Sequence, residues 1–521
     1  MGSTMTDFLE TARVLVGDDN VLEAGSTSEY ADPYAFDEAF TFAPPGAVRP
    51  GSVEEVAAVV TAAVEASVSL WTVSRGRNLA YGGAMPADPA SYVLDLGRLN
   101  RVREVNVESG YVVVEPGVSF FDLYEHLRAN DIPLMMSVPD LGWGSLIGNA
   151  LERGFGYSAH GEHGNYLAGL EVVLPSGEVV RTGMGALPDS PTAHLYKGGY
   201  GPAIDSLFQQ SNFGVVVSGG IWLMPRPAHV AACLVSVPVV DDLAELVDVI
   251  RPLMLDHTID GVVIVGTPLA LVSHVIPRAT LYDGPGLVPE PVLEGVMKKF
   301  GIGRWNAKFG LYGAPGVVAA KVEVLRARVA SMREATLGVT DYPGDLSGVD
   351  VHPADRSILG IPSDDAIQMA AWRGGVPAHT DFSLVTGTTG KEVQQLNTLV
   401  RGIIESAGLD QVGGFTLFGR HAIMLSLLSF DGSSPHDRAL VRRLFTELVT
   451  TCAARGYAPY RAHPAFMNEI ADVYSFNDSA LRRLVTTLKS AIDPTGVLSP
   501  GKQGIGALVA RRIDPTPAQN S

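Results

Sequence analysis

Cysteine is nearly absent. The 521 residues include two, Cys233 and Cys452, which excludes a disulfide-stapled scaffold and a cysteine-rich metal site. Two buried free thiols in a cytoplasmic, reducing setting are expected instead. Basic charge is also short: 38 Lys and Arg stand against 56 Asp and Glu, a net charge of −18. That balance argues against nucleic acid or an anionic membrane as a partner. The most apolar helical stretch, 56–68, is too short and too marked by Glu65 to span a bilayer. No basic segment followed by an apolar one suggests an export leader. No internal repeat, Ser-His-Asp triad or zinc spacing stands out. His160-Gly-Glu-His163 has ligand-like spacing but no third or fourth ligand in view, so no metal is expected. What the chain does have is glycine, 57 residues, and 46% apolar residues, which fits a loop-rich enzyme of two or three domains.

The organising stretch is 68–84, SVSLWTVSRGRNLAYGG. It reads as a buried strand running into a loop with Gly76, Gly82 and Gly83. Such a loop offers unpaired backbone N–H groups to an anion. The spacing is neither G-x-G-x-x-G nor a GK[ST] P-loop, so the loop alone is a weak signal. Upstream, Ser52 with Glu55 predicts a capped helix to about residue 66. Downstream, 91–96 reads as a strand, 102–107 and 111–115 as a hairpin, and 120–130 as an amphipathic helix. A second Gly-rich stretch covers 141–164. A second hairpin follows at 170–174 and 179–182, then more strand within 212–224. Together these predict an α+β layout without a regular βαβαβ order. Pro225-Arg226-Pro227 marks a boundary. Beyond it, 239–256, 388–407 and 440–455 read as helices, and 261–265, 382–385 and 423–430 as strands. The tail past Arg511 is expected to be disordered.

Several long strings resemble one family. FFDLYEHL (120–127), PDLGWGSLIGNALERGFGY (139–157), GLEVVLPSGEVVRTGMGALP (169–188), YRAH (460–463) and DPTGVLSPGK (493–502) are similar to the vanillyl-alcohol oxidase and p-cresol methylhydroxylase flavoproteins. Within that family the likeness is to bacterial eugenol oxidase-type 4-alkylphenol oxidases. The resemblance implies a two-subdomain FAD-binding domain over 1–227 and an antiparallel-sheet cap over 228–463. The C-terminal segment, 464–521, returns to complete the FAD domain. It implies FAD contacts from Ser74, Gly76, Arg77, Asn78 and Leu79, and from a second loop through Pro139, Gly142, Ser145, Gly148 and Asn149. Lys502 is expected near the flavin or its ribityl chain. Trp305 and Asn306 match a cap segment near the pocket, with plain packing an equal reading. Tyr157 is expected to line the pocket. His379 and His463 fall near the site, with hydrogen bonding in core or surface the blander alternative.

The same resemblance brings Tyr81, Tyr460 and Arg461 together as a phenolate-binding site. The chemistry suits them. A phenol has a pKa near 10 and needs help to ionise. A guanidinium and two phenolic O–H donors stabilise its oxyanion through charge-assisted hydrogen bonds. The phenolate then pushes electrons through the ring, so that a hydride can leave the para benzylic carbon for flavin N5 through a p-quinone methide. O2 is the implied acceptor, giving H2O2; the methylhydroxylase branch instead implies a non-oxygen acceptor. A flavin-fold protein without turnover is the third reading. Two positions depart from the pattern. Glu152 stands where relatives carry Asp; it is expected to act as a base, or alternatively to pair with Arg153. Ile423 and Met424 stand where histidines would tether the flavin, and His421 falls two or three residues early. Non-covalent FAD is therefore expected. A homo-oligomer, at least a dimer, is implied by the family.

Overall fold

The computed structural model describes residues 2–34 and 38–506, so the expected disordered tail lies outside the described residues. Ser52 is the predicted N-cap, but the reciprocal bond of the expected capping box reaches one residue further back, to Gly51. Ser52 Oγ accepts from the Glu55 amide, and the Glu55 carboxylate accepts from Gly51 N–H, which fixes the start of the helix Val53–Ala66. That helix is a crossover. It joins Gly46–Val48 to Leu70–Val73, and both strands pair in parallel with Tyr92–Asp95. The parallel unit was not foreseen, because a three-residue strand carries too little pattern to be seen. Both predicted hairpins form, as Val102–Asn106 with Tyr111–Val114 and Leu167–Val173 with Val179–Arg181. Val215–Trp222 runs between them and completes a five-stranded sheet.

Residues 229–461 build one eight-stranded antiparallel sheet. Its order is Thr336–Pro343, His229–Val237, Trp305–Gly313, Val263–Gly266, Val412–Leu417, His421–Asp431, Pro377–Gly387, Pro459–Arg461. Strand alternation assigns its two faces. On His421–Asp431 the residues Ala422, Met424, Leu428 and Phe430 belong to a core shared with the helices Leu243–Leu255, Gly390–Ser406 and Pro435–Ala453. Leu425 and Leu427 face the other way, into a cavity between this sheet and the glycine-rich loops of the preceding residues. Cys233 and Cys452 are buried and free. Among the described residues no helix is long and apolar enough to cross a membrane.

The segment after Tyr460 folds back. Leu70 N–H donates to Val497 O and Ser499 N–H to Leu70 O, so the DPTGVLSPGK stretch edges the first sheet. Gly501, at φ 83°, turns the chain so that Lys502 enters the cavity wall.

Candidate active site

The cavity measures about 1110 Å³, above the usual size of a small-ligand pocket. The expected cofactor-contact residues Ser74, Gly76, Arg77, Asn78 and Leu79 line it. So do Pro139, Ser145, Gly148, Asn149 and Lys502. Gly142 does not line it. Its amide donates to Ser363 O, and a Cβ there would meet Pro362 and Phe121, so its smallness serves loop packing. Three side chains turn out to have structural work. Ser145 Oγ caps the helix Leu146–Leu151 by accepting from Gly148 N–H. Asn149 Oδ1 lies 2.7 Å from His163 Nδ1. Arg75 staples the two loops together by donating to Trp143 O at 2.9 Å and Gly117 O at 2.8 Å.

These residues fit FAD on two counts. The amides of Gly76, Arg77, Asn78 and Leu79 donate to no acceptor among the described residues, and they follow one another at the mouth of a strand. A run of unpaired N–H groups is a nest for pyrophosphate. A Cβ on Gly148 would stand 2.3 Å from Ser74 Oγ, so a larger residue there would push the Ser74 hydroxyl out of its place between the two loops.

At the other end of the cavity the four expected catalytic residues meet. The Arg461 guanidinium stacks over the Tyr81 ring at 4.0 Å. Its Nη2 donates to Asn78 Oδ1 at 2.7 Å, which ties the site to the pyrophosphate loop. Tyr81 Oη lies 2.6 Å from Ser383 Oγ. Burial pushes the Tyr81 and Tyr460 hydroxyls up, and Arg461 offsets this only in part, so both remain neutral O–H donors. Arg461 stays a cation. Burial opposes its charge, but Tyr81, Tyr460, Glu152 and Asp381 together hold its pKa above the usual value.

Glu152 pairs with Lys502 rather than with Arg153, Oε1 to Nζ at 2.5 Å. Burial alone would raise its pKa. Lys502, through its charge and its hydrogen bond, and then Arg461 lower it below the usual carboxylate range. Glu152 is thus ionised at neutral pH. Tyr157 lines the same cavity and donates to Asp140. Trp305 is a packing residue, with Nε1 bonded to Val240 O, and the Asn306 side chain is spent on Ser236, Gly303 and Gly266. His463 is buried against Asp32 at 3.1 Å. His421 stacks on Phe418 and sits 3.5 Å from Glu162, outside the cavity wall.

Sequence reasoning missed three neighbours of these side chains: Asn78 as a partner of Arg461, Ser383 as a partner of Tyr81, and Asp381. Asp381 lies in the cavity wall, and burial pushes its carboxyl up to about 7, with Arg461 pulling down and Asp140 pushing up. In the sequence these residues are separated from their partners by 302 to 383 positions for the two bonded pairs, and no local pattern links them.

Comparison with known proteins shows the family. Residues 44–183 match the FAD binding domain family, and 364–503 the C-terminal domain of FAD linked oxidases. The chain is 32% identical to the 4-cresol dehydrogenase [hydroxylating] flavoprotein subunit of Pseudomonas putida, over 97% of each chain. It belongs to the vanillyl-alcohol oxidase and p-cresol methylhydroxylase flavoprotein family. Its structure superposes on that of substrate-bound p-cresol methylhydroxylase with a TM-score of 0.92 at 32% identity, covering 97% of this chain and 98% of the other. The 4-ethylphenol oxidase of Gulosibacter chungangensis follows at a TM-score of 0.90 and 30% identity, with 97% and 98% covered. The protein is accordingly an FAD-linked oxidoreductase with the two-domain fold of this family.

Proposed function

We propose that this enzyme oxidises para-substituted phenols, 4-alkylphenols and 4-hydroxybenzylic alcohols, at the benzylic carbon, with O2 as the acceptor. The observation that carries this reading is the buried Arg461 with its guanidinium over the Tyr81 ring and Tyr460 beside it. Arg461 supplies the fixed positive charge for a phenolate. Tyr460 accepts a hydrogen bond from Arg461, which leaves its own O–H to donate outward. Tyr81 Oη and Ser383 Oγ share a hydrogen bond that either hydroxyl can donate; when Ser383 is the donor, the Tyr81 O–H is released for the same oxygen. FAD, when bound, supplies the two-electron acceptor. Glu152, held ionised by Lys502, presents an acceptor to the water or hydroxyl that completes the reaction.

An anaerobic titration of the yellow protein with 4-ethylphenol, followed by air, tests the reading. Bleaching is expected, with recovery and peroxide on admitting air. Absence of bleaching with flavin present would overturn it. The likeness to 4-cresol dehydrogenase favours a second reading, the same chemistry with a non-oxygen acceptor. Bleaching that recovers with an artificial dye and gives no peroxide in air would select it.

The flavin is held without a covalent bond in this reading. His421 is engaged by Phe418 and Glu162, and the neighbouring Ile423 has no nucleophile to offer. Acid precipitation is expected to leave the yellow colour in the supernatant; colour in the pellet would refute non-covalent binding.

A further inference from the structure

Asp381 is a buried carboxylate that the reaction outlined above does not use. His379, Asp381 and Ser383 share one face of the strand Pro377–Gly387. Ser383 is held to the Tyr81 hydroxyl and lies opposite Arg461 in the sheet. Two residues along a strand span roughly 6.6 Å, so the Asp381 carboxyl stands beside the phenolate-binding trio, on the cavity wall. Its Oδ1 is buried and has no hydrogen-bond partner among the described residues; Arg461 Nε is in the same condition. A donor and an acceptor, both buried and both unspent, flank one pocket. An O–H group entering between them satisfies both.

We propose that Asp381 is the catalytic proton acceptor that takes the phenolic hydrogen, so that the substrate binds as phenolate while the carboxylate becomes a neutral acid.

This rests on the phenol-oxidising function proposed above. The phenol O–H bond breaks, an Oδ–H bond forms on Asp381, and no electron leaves the pair. The net charge of the site is unchanged by the transfer. This matters because Arg461 is a single cation: Glu152 is already matched by Lys502, and phenolate beside ionised Asp381 would put two anions on one guanidinium. His379 offers no second positive charge. Its Nε2 is 3.9 Å from Asp381 Oδ1, but burial pushes its pKa down to about 4. The other groups facing Asp381 are Tyr81, Tyr157, Tyr34, Tyr460 and Asp140, none of them cationic. Burial also brings acceptor and donor closer. An ordinary aspartate lies about six pKa units below a phenol; at about 7, Asp381 lies about three below it, before Arg461 acts on the phenol. The product is again a phenol, so Asp381 returns its proton on release.

The test counts protons on binding. The holoenzyme is titrated with 4-hydroxyacetophenone, a phenol without a benzylic hydrogen, in weak buffer at about pH 7.5, between the usual carboxylate and phenol ranges. The phenolate band reports ionisation and an indicator dye reports protons released. In the wild type, a phenolate band with less than about half a proton released per ligand is expected, since Asp381 keeps the proton. Asp381→Asn is expected either to lose the band or to show it with about one proton released. Release of about one proton by the wild type, or a band with unchanged release in the variant, would overturn the assignment. If Asp381→Asn does not retain flavin, the wild-type count alone decides. A wild type that binds with no phenolate band refutes the phenol-oxidising function instead, which separates the two failures.

Discussion

Replacing Arg461 with alanine is expected to slow flavin reduction by a 4-alkylphenol by about 10²–10³-fold, the range seen when one fixed donor to a developing oxyanion is removed. Tyr460→Phe removes a neutral donor and is expected to cost about tenfold. The pH dependence should change with the rate. On the proposed function the wild-type guanidinium lowers the phenol's pKa, each unit representing about 1.4 kcal/mol. Without it, reduction waits on unaided ionisation, so the rate of Arg461→Ala should keep rising with pH toward about 10 while the wild type levels off earlier. Asp381 moves in the same direction. Arg461 is what opposes its burial, and removing that charge raises the carboxyl above its present value of about 7. Rapid-scan reduction across pH, with flavin content measured on the same samples, checks both changes. Rates within a factor of two or three of wild type, with the same pH profile, would mean that the guanidinium over Tyr81 does not stabilise the substrate.

Why Arg461 was legible and Asp381 was not follows from what each residue's neighbours in the chain reveal. Tyr460-Arg461 sits in a distinctive string, and Tyr81 closes the Gly-rich loop, so the trio could be assembled from the family pattern. Asp381 lies in HTDFSLV, where one acid in a half-polar strand looks like a solvent-facing position. Its burial comes from Pro459–Arg461 pairing on the strand's outer edge and from the Tyr81 loop closing over it. The cap sheet shows the same limit. The strand His229–Val237 was not foreseen, because it is covered on both faces, and a run that is apolar at nearly every position has no period to read; Trp305–Gly313 does alternate, with Trp305, Ala307, Phe309 and Leu311 in the core, and was passed over. Thr336–Pro343 was missed for the opposite reason: it is an edge strand, mostly exposed, and polar. By contrast, 388–407 was read within two residues of the observed Gly390–Ser406, since that helix has one face in the core and one in water. The Glu152–Lys502 pair shows why roles are harder to read than places. Both residues were expected near the flavin, but that they neutralise each other depends on a turn at Gly501, 349 positions after Glu152.

The largest stability effect is expected at Lys489. This lysine is 4% exposed, and its ammonium donates to Asn212 O at 2.6 Å, Asp493 Oδ2 at 2.7 Å and Leu498 O at 2.9 Å. Asp493 in turn accepts from the amides of Val497 and Leu498. The two residues thus bind the turn of DPTGVLSPGK from both sides and fix it against Asn212. From that turn Leu498 and Lys502 enter the cavity wall. Lys489→Met keeps the apolar bulk, strands the Asp493 carboxylate and orphans two carbonyls, at a cost of about 3–5 kcal/mol. A fall of roughly 10 °C in the thermal midpoint is expected if residues packed on this turn unfold as a unit of some 150–250 residues, with flavin fluorescence appearing at the lower temperature. Adding Asp493→Asn to Lys489→Met removes the stranded charge but keeps only one of the two oxygens to which the Val497 and Leu498 amides donate, so the double variant should regain part of the loss and no more. If Lys489→Met alone stayed within about 1 kcal/mol of wild type, the turn would have to be held by the strand-edge bonds of Leu70 and by the bonds of Thr72 and Asn212 to Ser499. In that case the flavin-release temperature would not move either, because Lys502 would keep its place against Glu152 without the clamp.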